Sequence, residues 1–176
     1  EPAEIAAAFD ELHASGKVRH FGVSNHTPAR LALLQSVLRQ PLVVNQIELN
    51  LLHTSLIDEE IVANTADAPL VGHAGTIDYA RIHGILLQAW SPLAKGRAME
   101  RSEGLRNVLQ ALSARHGVGV EALLIAWLLR HPAGIQPVIG TTQPDRIRRC
   151  CEADRIHLSR EEWYALYSAA RGKSVP

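Results

Sequence analysis

The sequence predicts an α/β fold of parallel strands with helices packed outside them. Short apolar runs bounded by glycine or proline recur along the chain, and amphipathic helical patterns separate them. Their order is one helix followed by four strand–helix units, and regular alternation of this kind implies a parallel sheet. Alternation alone leaves open whether the sheet is doubly wound or is a piece of a (β/α)8 barrel.

The elements follow in order. Ile5, Phe9 and Leu12 recur at helical spacing, and Gly16-Lys17 then leads into a strand over Val18–Ser24. Thr27-Pro28 supplies an N-cap and a first-turn proline, and Leu31, Leu34 and Leu38 form the apolar stripe of the next helix. Pro41 opens a second strand, Leu42–Glu48. From about Ser55 to Gly72 the pattern is weak, and Pro69 and Gly72 predict mostly loop. Tyr79–His83 ends a helix, and Gly84 leads into a third strand, Ile85–Trp90. Two helices are expected next, Gly104–His116 and Val120–Arg130. Gly134 and Gly140 bound a fourth strand, Gln136–Ile139, with a helix over Pro144–Ala153 behind it. Ser159 and Glu162 have capping-box spacing for a last helix carrying Trp163, Leu166 and Tyr167.

Composition narrows the function classes. The 176 residues, 47% hydrophobic and 20% charged, suit one domain with a sizeable core. Eighteen basic residues balance eighteen acidic ones, so nothing points to nucleic acid. No apolar stretch approaches the roughly 20 residues of a membrane span. The two cysteines, Cys150 and Cys151, are neighbours and cannot staple distant segments, so a reducing cytoplasm is the expected setting. The chain opens on Glu1 with no signal-like region, which suggests a start inside a longer chain.

In α/β proteins, chemistry gathers beyond the carboxyl ends of the strands. Those ends carry Ser24, Asn25 and His26; Asn45, Gln46 and Glu48; Trp90, Ser91 and Pro92; and Gly140, Thr141 and Thr142. Amides, hydroxyls and an indole suit the holding of a polar planar ring bearing a carboxamide. Two loops suit anions. Gly140-Thr141-Thr142-Gln143-Pro144-Asp145-Arg146 joins a strand to a helix amino terminus, and Ser91–Arg97 contains Leu93, Lys95, Gly96 and Arg97. Plainer roles compete. Asn25 could cap the helix at Thr27-Pro28, Gln46 could satisfy buried backbone, Trp90 could be core, and Arg146 and Arg149 could form a solvated helix face. Nine histidines include no His-x-x-x-His with a neighbouring glutamate, and no Gly-x-Ser-x-Gly elbow occurs. Gly117-Val118-Gly119 lies between two predicted helices, the wrong context for a dinucleotide fingerprint.

Four segments together resemble the aldo-keto reductase family. Gly16-Lys17-Val18-Arg19-His20-Phe21-Gly22-Val23-Ser24-Asn25 is similar to its fifth-strand motif, and Asn45-Gln46-Ile47-Glu48 to its sixth. Gln88-Ala89-Trp90-Ser91-Pro92-Leu93 is similar to the seventh, and Pro137-Val138-Ile139-Gly140-Thr141-Thr142 with Arg146 to the eighth and its phosphate loop. The resemblance spans about Glu4 to the final helix. The Glu162-Trp163 helix and Ser174-Val175-Pro176 suggest bacterial members.

The resemblance implies the carboxyl-terminal half, strands five to eight, of a parallel (β/α)8 TIM barrel with outer helices. Residues 1–176 would form a single partial domain without its amino-terminal half. It further implies NADP(H) as cofactor and hydride transfer to a small-molecule aldehyde or ketone. Ser24, Asn25 and Gln46 would hold the nicotinamide carboxamide, and Trp90 would stack on the ring where relatives often have tyrosine. Ser91, Leu93, Lys95 and Arg97 would line the pyrophosphate. Gly140, Thr141, Thr142 and Arg146 would form the 2′-phosphate loop, with Arg149 near the adenine. Two positions depart from the family's pattern: Cys150 replaces a frequent asparagine, and Gly140 a frequent lysine. The family's catalytic aspartate, tyrosine, lysine and histidine belong to the first four strand–helix units, which nothing here resembles. The chain by itself is therefore expected to be inactive unless a missing half supplies them. A non-catalytic or regulatory NADP(H)-binding half-barrel is the alternative, and self-association through exposed strand edges is a third reading.

Overall fold

The computed structural model describes residues 1–62 and 75–175. Four strands form one parallel sheet in sequence order: β1 (Phe21–Ser24), β2 (Leu42–Glu48), β3 (Leu86–Trp90) and β4 (Gln136–Val138). Around it, among the described residues, lie α1 (Pro2–Ala14), α2 (Pro28–Gln35), α3 (Ser55–Val62), α4 (Thr76–Ile82), α5 (Glu103–His116), α6 (Val120–Leu129), α7 (Pro144–Cys151) and α8 (Arg160–Arg171). The expected order of elements is present, with two helices between β2 and β3 and two between β3 and β4.

Local chemistry sets the boundaries. Thr27 caps α2 by accepting from the Arg30 amide, with Pro28 at its first turn. Ser159 and Glu162 make the reciprocal bonds of a capping box at α8. Gly117 and Gly172 end α5 and α8 in the left-handed conformation.

Some expectations change. The first strand begins at Phe21 rather than Val18, because the Val18 amide closes back on the Leu12 carbonyl at the end of α1. The fourth strand ends at Val138, where its pairing with β3 stops. The predicted Pro144–Ala153 helix ends at Cys151, and its last two residues belong to a 3-10 turn, Glu152–Arg155. Ser55–Val62, expected to be mostly loop, is α3; the Thr54 carbonyl accepts from Ile57 and Asp58 and so starts the first turn. Pro69 and Gly72 lie outside the described residues. In α1, Phe9 stacks on Phe21 at 4.1 Å, but Ile5 and Leu12 of the same predicted stripe are exposed.

The two faces of the sheet differ. Asn45, Ile47, Leu87 and Ala89 point to the helix side and are buried. There α6 is buried from Ala122 to Leu128, packed among α5, α7 and the sheet, as a helix apolar all round must be. Trp127 and Trp163 stack at 5.1 Å, and each indole N–H donates to the other residue's carbonyl, locking α6 to α8. Among the described residues no helix covers the other face. Strand register arranges its residues in three transverse rows: Gly22, Val44 and Leu86; Ser24, Gln46, Gln88 and Gln136; Glu48, Trp90 and Val138. Leu86 is 38% exposed there, an apolar strand residue on an uncovered surface.

No single helix among the described residues is long and apolar enough to cross a membrane; α5 and α6 together have the length but meet at 92°.

Candidate functional site

The carboxyl ends of β1, β2 and β3 are tied together by side chains from all three. Asn25, just past β1, takes φ +56°, and its amide donates to the Gln46 carbonyl at 2.9 Å as though β1 ran one residue further. Its Nδ2 donates to Ser24 Oγ at 3.0 Å, Ser24 Oγ donates to the Gln46 carbonyl at 2.9 Å, and Trp90 Nε1 donates to Asn25 Oδ1 at 3.0 Å. Ser24, Asn25, Gln46 and Trp90 are thereby brought into one connected group. Asn25 does not cap α2, since Thr27 does, and Trp90 is half-buried on the uncovered face rather than in the core.

Asn45 fixes this corner from behind. It is fully buried, its Oδ1 accepts from the His26 amide at 3.2 Å, and its Nδ2 donates to the His26 carbonyl at 2.8 Å. One amide side chain thus stands in for a neighbouring strand and holds the β1 loop in place. Removing it would leave two backbone groups without partners, at about 1–3 kcal/mol each if they stayed buried.

Backbone strain is confined to the same edge of the sheet. Among the described residues, four non-glycines have positive φ: Asn25, Ser91, Ala94 and Lys95. All lie in the loops after β1 and β3. Left-handed residues without a glycine's freedom cost of order 1–3 kcal/mol each and persist where surroundings enforce them, typically at functional sites. After β3 the chain turns tightly, Ala94 donating to the Ser91 carbonyl and Gly96 to the Leu93 carbonyl, both at 2.9 Å. Ala94 is buried and anchors the turn, whereas Lys95 and Arg97 project into solvent.

The fourth loop is built differently. Thr141 Oγ1 accepts from the Gln143 amide at 3.2 Å, and Pro144 occupies the first turn of α7, which Gln143 does not cap with its side chain. Asp145 is neutralised by Arg148 at 2.7 Å. Arg146 is half-buried and makes no ion pair among the described residues. Arg149 contacts Glu121 of α6 at 3.5 Å, so part of its charge is engaged inside the protein. Gly140 and Thr142 are exposed beside these groups.

A cleft of about 240 Å³ adjoins Asn25 and Trp90, with Glu48, His26 and His53 as its polar walls. A cleft of similar size between α3, α6 and α8, beside His131 and Trp163, lies away from the strand ends. The strand-end group is the better candidate, because strain and converging hydrogen bonds coincide there.

The sequence matches the Aldo/keto reductase family over residues 1–171. The chain belongs to that family. It is 39% identical over 173 residues to the 6-dehydroglucose reductase of Agrobacterium fabrum, covering 98% of this chain and 53% of that protein. To Oxidoreductase YdhF of Escherichia coli it is 37% identical over 176 residues, covering 98% and 54%. Among solved structures, the thermostable aldo-keto reductase Tm1743 in complex with the inhibitor epalrestat superposes with a TM-score of 0.76 at 25% identity, over 96% of this chain and 55% of that one. The chain spans about half the length of the curated relatives it matches.

In this aldo/keto reductase chain the three tyrosines all sit on helices, not at the strand ends. Tyr79 stacks on His83 within and beside α4, and Tyr164 is exposed on α8. Tyr167 is buried and donates a short hydrogen bond to Asp58. Burial, then that hydrogen bond and the Asp58 charge, push its phenol well above the ordinary tyrosine range despite the nearby Arg171. Among the described residues no group of three or more histidine, cysteine or acidic side chains could hold a metal. Sequence reasoning missed Gln88 and Gln136 as parts of the site. Their signal was alternation: both fall at the strand positions that share a face with Gln46.

Proposed function

We propose that this chain is the carboxyl-terminal half of a (β/α)8 barrel, strands five to eight, and that it carries the NADP(H) cradle of a reductase acting on aldehydes or ketones. On this reading residues 1–176 are one partial barrel domain. Its chief support is the sheet with one helix-covered face and one bare face, whose side chains lie in transverse rows like the layers that fill a barrel interior. The strained, hydrogen-bonded loops at the carboxyl edge stand where barrel enzymes place their sites.

The residues present suit the cofactor. The second amide hydrogen of Asn25 and the Oε1 of Gln46, without a partner among the described residues, offer the donor and acceptor that a primary carboxamide needs. Trp90 has its indole edge tethered and a flat ring to stack against a heteroaromatic. Ser91, Leu93, Lys95 and Arg97 would line the pyrophosphate. Gly140, Thr141, Thr142 and Arg146 would receive the 2′-phosphate, Arg146 having no competing ion pair among the described residues. Arg149, engaged with Glu121, would contribute less near the adenine. The chemistry the cofactor would supply when bound is hydride for the carbonyl carbon of the substrate. This chain's part is to fix ring orientation and balance phosphate charge. The proton for the oxygen would come from outside it, since Tyr167 is held neutral in the core and Tyr79 and Tyr164 face other surfaces.

The test is NADPH oxidation by the purified chain with a generic aldehyde, followed at 340 nm. Cofactor binding without turnover is the expected result; turnover would contradict the assignment of the proton donor elsewhere. A non-catalytic NADP(H)-binding half-barrel gives the same result for the isolated chain, and separates from the first reading if an added amino-terminal half restores no activity. The outer edges of β1 and β4 have no strand partner among the described residues, which favours self-association at high concentration.

A further inference from the structure

On the uncovered face, three glutamines from three neighbouring strands stand in register: Gln46 beside Gln88, and Gln88 beside Gln136. Their amides form a ladder with one direction. Gln46 Nε2 donates to Gln88 Oε1 at 2.9 Å, and Gln88 Nε2 donates to Gln136 Oε1 at 2.7 Å. Gln88 turns its NH2 towards the later strand and its carbonyl towards the earlier one. The acceptor end of the ladder is Gln46 Oε1, which has no partner among the described residues. On the next strand lies the Ser24–Asn25 pair, with one Asn25 amide hydrogen still available.

A primary amide has two nearly isosteric ends, so its orientation is set by its neighbours. Turning Gln46 alone would bring two carbonyl oxygens together across the 2.9 Å contact. Turning it with relief would require Gln88 and Gln136 to turn as well. Amide chains of this kind also polarise along their length, making the free carbonyl at the end a better acceptor.

We infer that Gln88 and Gln136, neither of which would touch cofactor, are positioning residues that hold Gln46 with its Oε1 presented to the carboxamide NH2 of a bound nicotinamide. This rests on the cofactor reading above and deepens it: the ladder makes the site read an NH2 group at that position, and so discriminate against rings that lack one. Gln136 closes the chain by fixing the direction of Gln88.

The experiment titrates the purified chain with NADP+ and with its 3-acetylpyridine analogue, in which a methyl group replaces the carboxamide NH2, and takes the ratio of the two Kd values. Using the ratio cancels any general loss of affinity or folded fraction. The wild-type chain should prefer NADP+ by about tenfold, the scale of one hydrogen bond. Gln88→Met should reduce the preference to about twofold, and Gln136→Met should fall between, since Gln88 can still hold Gln46 but is itself less constrained. Gln88→Glu should keep the wild-type ratio, because a carboxylate still accepts from Gln46 Nε2. A wild-type ratio in Gln88→Met, or a wild-type chain that binds both nucleotides equally, overturns the inference while leaving the cofactor reading intact. A folded wild-type chain that binds neither nucleotide overturns the cofactor reading, and this inference with it.

Discussion

The indole N–H of Trp90 donates a 3.0 Å hydrogen bond to Oδ1 of Asn25, joining the loops after the first and third strands across 65 positions of sequence. Asn25 accepts it from a left-handed backbone, at φ +56°. Strain in one loop and aromatic orientation in another are thus one feature.

Replacing Asn25 should separate the two contributions. Asn25→Gly keeps the left-handed backbone and removes the side-chain bonds to Trp90 and Ser24, whereas Asn25→Val loses both. Asn25→Val should be the less stable by about 1–2 kcal/mol in urea denaturation, the cost of a left-handed residue. Both should change Trp90 emission. Equal stability of the two variants would mean that the loop relaxes out of the left-handed conformation.

Gly22 is required by close approach. A Cβ there would meet the Val44 carbonyl oxygen at 2.8 Å and Val44 Cβ at 2.9 Å, neither of which can swing aside. Gly22→Ala should therefore cost about 1–3 kcal/mol, the usual penalty of overpacking. Gly104, in the first turn of α5, meets nothing within 4 Å, and Gly104→Ala should be neutral or stabilising by up to about 1 kcal/mol. Thermal melts of the two variants check the contrast, which disappears if β1 can shift away from β2.

Tyr167 gives the fold an alkaline limit. Its phenol titrates above the unfolded value, near 10, because of burial first and Asp58 second. The neutral form's contribution is complete below about pH 10 and is lost as pH rises towards the folded-state value. Urea midpoints at pH 9 and pH 11 should fall more in the wild type than in Tyr167→Phe. Parallel falls in both would show that other groups set the alkaline limit.

The sequence made some of this legible and not the rest, for physical reasons. The second strand was readable to the residue, since Pro41 opens it and Leu42-Val43-Val44 with Ile47 supply its apolar, β-branched positions. Caps at Thr27 and Ser159 were readable because hydroxyl, proline and glutamate at fixed spacing act within one turn. Phe21 as a strand start was not, because it depends on the Val18 amide returning to Leu12. The helix at Ser55–Val62 was missed because its first turn leans on Thr54 and its packing partners lie far along the chain. Around the site, Ser24, Asn25, Gln46 and Trp90 were visible as strand-end residues, but the register placing Gln88 and Gln136 beside Gln46 exists only between strands. The pairing of Arg149 with Glu121 was likewise a matter of how α7 packs on α6.

The central claim is that this chain holds a phosphorylated nicotinamide nucleotide at the carboxyl edge of its sheet. The most direct measurement is fluorescence titration of the purified chain with NADPH, alongside Arg146→Ala, with circular dichroism confirming that both are folded. The expected result is saturable binding by the wild type and a Kd at least about tenfold weaker for Arg146→Ala, as the loss of a charge-assisted phosphate contact requires. No saturable binding by the folded wild type, or equal Kd values for the two proteins, would contradict it.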